Sequence, residues 1–300
     1  MTLLPDPEPR RRHFTVISVD DHLIEPADLF QGRMPAHLEE RAPTLFESAE
    51  GKQAWVYEGT FYPNIGLNAV VGRPRQEWTM EPARFDEMRQ GCYDIHARIA
   101  DMDVAGIWAS LCFPSLIAGF AGAVFSRSQD PELGLACVRA WNDWHHEVWA
   151  GTYPERIIAL QITWLKDADV AAAEVRRNAE RGFKALSFPE NPANLDLPSV
   201  HTSYWDPLFA ACEETGTVIC LHTGSAGSVI QFFEAPLEQA TTLFPVHGAV
   251  TTADWLWARV PLRFPALNIA LSEGGIGWVP MLLDRLDYVM AHSGRGGSGV

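Results

Sequence analysis

Apolar positions recur along this chain in two rhythms. Short runs rich in β-branched residues at 14–19, 107–113, 157–162, 183–188, 217–221 and 267–271 predict buried strands. Between them, helical spacing predicts helices over 93–104, 131–150, 167–181 and 205–215, in segments of 237–260, and over 278–291. Asp167 near the start and Gly182 just past the end frame the helix at 167–181. Strand and helix thus alternate six times, the order of an α/β protein whose apolar strands form a parallel sheet covered on both faces. No GxGxxG or GxxxxGK follows a strand, so a nucleotide-binding doubly wound sheet lacks its fingerprint. Polar residues end the first, fifth and sixth strands, which fits a TIM-type (β/α) barrel. Residues 23–90 are punctuated by Pro and Gly and predict a long insertion after the first strand, made of loops and short elements that cover a site. Residues 1–13 read as a flexible arm, 14–292 as one barrel domain, and the Gly/Ser-rich 293–300 as a flexible tail.

Composition narrows the partners. Of 300 residues, 47% are hydrophobic and 20% charged, the balance of a chain that buries a core. The formal net charge of −15 repels a phosphate backbone, and the one basic cluster is Arg10-Arg11-Arg12, so nucleic acid is excluded as a partner. The N-terminus has no apolar signal region, and no apolar run is long enough to span a membrane. Five cysteines without CxxC or CxH spacing read as buried thiols in a reducing cytoplasm.

Three constellations carry candidate chemistry. Alternate residues of a strand share a face, so Asp20 and His22 project together and Asp21 points away. The pair can bind one cation, or merely end the strand and cap the next turn. His222 follows four apolar strand residues and precedes Thr223-Gly224, where a barrel strand opens into its pocket; it is a third ligand or a structural imidazole. Glu273 precedes Gly274-Gly275-Ile276-Gly277 and can ligate a metal, act as a general base, or cap the following helix. Three N/O donors at one barrel end suit an open catalytic Zn²⁺ or Mn²⁺ site. His145-His146 lies mid-helix among tryptophans and reads as packing or surface. Trp278, beside the Gly-rich loop, is the tryptophan expected near substrate.

Together, Ile17-Ser18-Val19-Asp20-Asp21-His22-Leu23-Ile24-Glu25-Pro26, Trp141-Asn142-Asp143-Trp144, Tyr204-Trp205-Asp206-Pro207-Leu208, Leu221-His222-Thr223-Gly224 and Leu271-Ser272-Glu273-Gly274-Gly275 resemble the amidohydrolase superfamily. The resemblance spans roughly 14–290 and points to the amidohydrolase-related branch, with aminocarboxymuconate-semialdehyde and γ-resorcylate decarboxylases. It implies a (β/α)₈ barrel with one divalent metal, Zn²⁺ first and Mn²⁺ second, on Asp20, His22 and His222. By the same analogy Glu25, Asp206 and Ser272 line the pocket, although Asp206 equally suits a helix N-cap before Pro207. Two departures stand out. Ser272-Glu273 occupies the place of that branch's histidine after the sixth strand, which makes Glu273 and His222 the catalytic candidates. The last-strand aspartate of the family has no counterpart before Val300, because Asp284 and Asp287 fall on the polar face of the helix at 278–291.

The expected function is non-oxidative decarboxylation of a small carboxylated aromatic or ring-derived substrate. Metal-dependent hydrolysis of an ester, lactone or amide is the alternative. The expected fold is a TIM-type barrel of about six of eight units, incomplete at its C-terminus; a third functional expectation is that this barrel is catalytically impaired for want of the last-strand aspartate and exposes apolar edges. A homodimer is the expected assembly.

Overall fold

The computed structural model describes residues 3–8, 11–78, 82–227, 230 and 232–292; the expected tail at 293–300 and Arg10 lie outside the described residues. Strand β1 (Val16–His22) is followed by β2 (Thr44–Glu47), β3 (Gln53–Tyr57) and β4 (Thr60–Tyr62). Next come α1 (Ile95–Ala105), β5 (Ile107–Phe113), α2 (Ala123–Ser126) and α3 (Pro131–Trp144). Strands β6 (Ile157–Ile158) and β7 (Leu160–Ile162) lead to α4 (Ala168–Glu180), β8 (Ala185–Phe188) and α5 (Asp206–Thr215). The last elements are β9 (Val218–His222), α6 (Leu237–Trp257), α7 (Val260–Arg263), β10 (Ile269–Ser272) and α8 (Val279–His292). None of the described helices is long and apolar enough to cross a membrane.

All six predicted strands form. The run at 157–162 breaks at Ala159 into β6, which pairs with β5, and β7, which pairs with β8. Two parallel sheets result, in orders β1-β5-β6 and β10-β9-β8-β7, and that break joins them in sequence. The chain is therefore a mixed α/β protein, and among the described residues no ladder closes β10 onto β1. Two hydrogen bonds cross between them instead: Ser272 Oγ donates to the Val19 carbonyl at 3.3 Å, and the Glu273 N–H donates to Asp20 Oδ2 at 2.9 Å. Val16, Ile17 and Val19 on β1 and Leu271 on β10 are exposed.

The 23–90 region is more ordered than its punctuation suggests. β2, β3 and β4 form an antiparallel sheet, and Trp55 and Tyr57 of β3 pack edge-on against Phe30 and Phe125. The β3–β4 turn is the pair Glu58-Gly59, with φ of 48° and 75°, the two left-handed residues of a tight hairpin. Glu-Gly is a weak form of the Asn-Gly signal, which is why the hairpin escapes a reading of the sequence.

The helix predicted over 131–150 starts with Asp130 capping the Glu132 and Leu133 N–H groups and Pro131 in its first turn. It is α-helical to Trp144 and π-helical over 145–150. This widened turn places His145 fully inside, its ring stacked on Trp141 at 5.0 Å. Neither ring nitrogen of His145 has a hydrogen-bond partner among the described residues. Burial pushes its pKa down to about 3. The unfolded imidazole, near 6.5, takes up its proton first, so stability falls as pH drops from about 6.5 toward 3. His145→Phe is expected to lower the pH of acid unfolding, followed by circular dichroism, with little change from the parent above pH 7; an unshifted acid midpoint would remove His145 from the acid response.

Candidate metal centre

The site is built at the C-terminal ends of β1, β9 and β10. On β1, Ser18 pairs with Ser110 but Asp21 pairs with Cys112, so β1 spends three steps where β5 spends two. This bulge lies next to Asp20, and bulges re-aim the side chains around them. Asp21 is turned away and tied down: its carboxylate accepts from Ser18 Oγ at 2.8 Å and from the Ser110 hydroxyl. Asp20 and His22 are left facing His222, which ends β9 beside Ser272 of β10.

His222 is buried, and its Nδ1 lies 2.8 Å from the Thr223 carbonyl. A carbonyl can only accept, so Nδ1 carries a proton, and in the neutral ring Nε2 presents its lone pair. That Nε2 lies 3.2 Å from His22 Nε2 and 3.3 Å from Asp20 Oδ1. Ligand atoms of the three residues all fall within 4.8 Å of one another. A tetrahedral centre with bonds of about 2.0–2.1 Å sets its donors roughly 3.3–3.4 Å apart, so the spacing fits a shared cation. The chemistry fits as well: Asp20 Oδ1 is buried and, among the described residues, has no hydrogen-bond partner, and two imidazole nitrogens converge beside it.

Glu273 stands next to this group, its carboxylate 3.8 Å from His222 Nε2 and its side chain half exposed. Its φ of 56° is left-handed, unusual for glutamate, and turns the chain sharply after β10. The turn is held from behind by Gly248 of α6: a Cβ there would sit 2.4 Å from the Gly274 carbonyl oxygen. Aromatic rings wall the site. Phe120 stacks on His222 at 4.4 Å and Phe113 meets it edge-on at 4.9 Å.

The charges respond to this packing. Burial works to raise Asp20, but His222, the Glu273 N–H and His22 together hold it below the usual carboxylate range. Burial and the neighbouring His222 depress His22 to about 4. Burial would also depress His222, yet Asp20, the Thr223 carbonyl and Glu273 outweigh it and raise it. Glu273 is pushed up by burial and by Asp20, against the pull of His222.

The other expected site residues fall elsewhere. Glu25 is fully buried rather than lining an open pocket; its carboxylate accepts from the Ser115 N–H and hydroxyl and from Trp141 Nε1. Asp206 opens α5 and pairs with Arg263. Ser272 is spent on the Val19 carbonyl, and Trp278 Nε1 donates to the Gly274 carbonyl at 2.6 Å, closing the loop after Glu273. Reading the sequence missed three neighbours. Phe113 ends its strand and Phe120 follows in the next loop, where apolar residues read simply as core. Glu190, two residues beyond β8, accepts from the Gly224 N–H just past His222; its only signal was a carboxylate close behind a buried strand.

Comparisons with known proteins give a family and a fold. A family profile described as Amidohydrolase matches residues 80–296, a span that holds His222 and Glu273. No curated protein sequence matches the chain. Among solved structures, an amidohydrolase from Mycobacterium avium subsp. paratuberculosis K-10 is 23% identical, with 94% of this chain and 78% of that one covered and a TM-score of 0.69. A 5-carboxyvanillate decarboxylase from Novosphingobium aromaticivorans, complexed with manganese and 4-hydroxy-3-methoxy-5-nitrobenzoic acid, is 17% identical at a TM-score of 0.58, covering 93% and 70% of the two chains. A 2,6-dihydroxybenzoate decarboxylase from Rhizobium is 16% identical at 0.53, covering 92% and 71%. At such identities these structures establish a shared fold and leave the chemistry to the site. The profile match across most of the sequence shows that the chain belongs to the amidohydrolase family.

Proposed function

We propose that this chain is a metal-dependent decarboxylase of a small carboxylated aromatic or ring-derived substrate, built on a TIM-type barrel framework. The observation that carries the reading is the convergence of Asp20, His22 and His222 on one point, with Glu273 beside it. Asp20, His22 and His222 would hold one divalent cation, Zn²⁺ or Mn²⁺; manganese is the ion named with the carboxyvanillate decarboxylase. A cation held there would supply Lewis-acid charge to offset the negative charge that develops as the bond breaks.

The residues of the chain supply the rest. Breaking the bond to the carboxylate releases CO₂ and leaves an electron pair on carbon, which must receive a proton. Glu273 stands where it can hold and deliver that proton. Phe120, partly exposed and stacked on His222, is the ring of this wall that a substrate can reach, with Phe113 fully buried behind it. The half-exposed carboxylate of Glu273 favours one second reading, in which it takes a proton from water attacking an ester, lactone or amide. The test supplies Zn²⁺ or Mn²⁺ and measures CO₂ from a panel of hydroxylated benzoates beside acid release from esters, lactones and amides. CO₂ with an equal amount of decarboxylated product is expected. Acid release without CO₂ would turn the assignment to hydrolysis, and neither, in metal-loaded protein, would overturn both readings.

A further inference from the structure

We infer that Glu190 is a positioning residue for the cation site, acting on His222 through the single peptide group that joins Thr223 to Gly224. The inference rests on the reading of His222 as a metal ligand. Glu190 is 5% exposed and lies between β8, β9 and α6. Its Oε1 accepts the Gly224 N–H at 3.0 Å, and its Oε2 accepts the Thr251 hydroxyl at 3.3 Å. Its backbone is pinned as well: the Glu190 N–H donates to Ser225 Oγ at 2.9 Å, and Trp255 Nε1 donates to the Glu190 carbonyl at 2.9 Å. The carboxylate is thus held rigidly against the turn that follows His222.

The Thr223 carbonyl and the Gly224 N–H are two ends of one planar peptide group. His222 Nδ1–H donates to the carbonyl end, and Glu190 accepts from the N–H end. A continuous series runs from carboxylate to peptide to imidazole, and its far nitrogen is the one facing Asp20 and His22. Hydrogen bonds in such a series polarise one another, by roughly 10–30% per bond. A negative charge on the N–H makes the Thr223 carbonyl a stronger acceptor. That holds the Nδ1–H tautomer, fixes the ring plane and makes Nε2 a better donor, the service that an outer partner gives a metal-binding histidine. Gly224 permits the arrangement: its φ is 86°, and a side chain there would strain the turn.

The test uses Glu190→Gln, which keeps an oxygen for the Gly224 N–H but removes the charge, and Glu190→Ala, which removes both. Zn²⁺ affinity is measured by competition with a chelating indicator. The His222 Nδ1–H is followed by ¹⁵N-histidine NMR in metal-free protein and assigned with His222→Gln. Glu190→Ala is expected to bind Zn²⁺ roughly 10- to 100-fold more weakly, with a smaller loss in Glu190→Gln. In both variants the Nδ1–H signal shifts and exchanges faster. Should Glu190→Ala not fold, Glu190→Gln decides. Glu190→Gln with parental affinity and an unmoved Nδ1–H signal would overturn the proposal. A parent protein that takes up no Zn²⁺ would refute the metal reading itself, and the Nδ1–H signal of the metal-free variants would still decide whether Glu190 holds the ring.

Discussion

His222→Ala is expected to lose its bound cation and all measurable turnover together. The substitution leaves Asp20 and His22, two residues of one edge strand, with only the half-exposed Glu273 carboxylate on the opposite side. Catalytic zinc sites ordinarily keep three protein ligands, and even an outer partner of a metal-binding histidine is worth roughly 10- to 100-fold in affinity. Losing the ligand itself therefore weakens binding by about 100-fold or more. Elemental analysis after desalting checks this, with near one equivalent in the parent and background in the variant. The fold is expected to persist, because the truncated ring sits against Phe113 and Phe120, which remain packed. A His222→Ala protein that retains one equivalent would move the metal to other residues.

The largest effect on stability is expected from Glu25→Leu. The carboxylate is fully buried and answers the Ser115 N–H at 3.1 Å, the Ser115 hydroxyl, and Trp141 Nε1 at 2.9 Å. Leucine fills the space but leaves those donors without acceptors, and each stranded donor costs about 1–3 kcal/mol. A total near 4 kcal/mol corresponds to a drop of roughly 8 °C or more in Tm for a chain of this size. Scanning calorimetry gives the number. Metal content measured well below the new midpoint is expected to stay parental, since Glu25 is not among the residues whose ligand atoms converge. An unchanged Tm would return Glu25 to the role of a free pocket carboxylate.

The strands and the pattern of candidate donors were legible because both depend on local rules. β-branched runs mark buried strands, and alternate residues share a face, so Asp20, His22 and His222 stand out before any coordinates exist. What stayed hidden depends on packing between distant segments. Nothing near Glu25 in the chain announces that Trp141 will aim an indole N–H at it. Glu190 carries no motif, and its meaning comes from Gly224 and Thr251 arriving beside it from β9 and α6. The split at Ala159 and the π-helical turn at His145 are small changes of backbone geometry inside runs whose side-chain pattern suits a regular strand or helix.

The two hydrogen bonds between β1 and β10 also have a consequence in time. Asp20 and Glu273 are 253 positions apart, and His22 and His222 are 200 apart. At synthesis rates of about 5–20 residues per second, β1 leaves the ribosome roughly 10 to 50 s before its partner on β10. Over that interval Asp20 and His22 sit on a strand with no opposite side, and Val16, Ile17 and Val19 offer an apolar face to whatever is near. The three donors are together only after His222 has been made, 200 positions beyond His22, so the candidate site cannot hold a cation with all three before then.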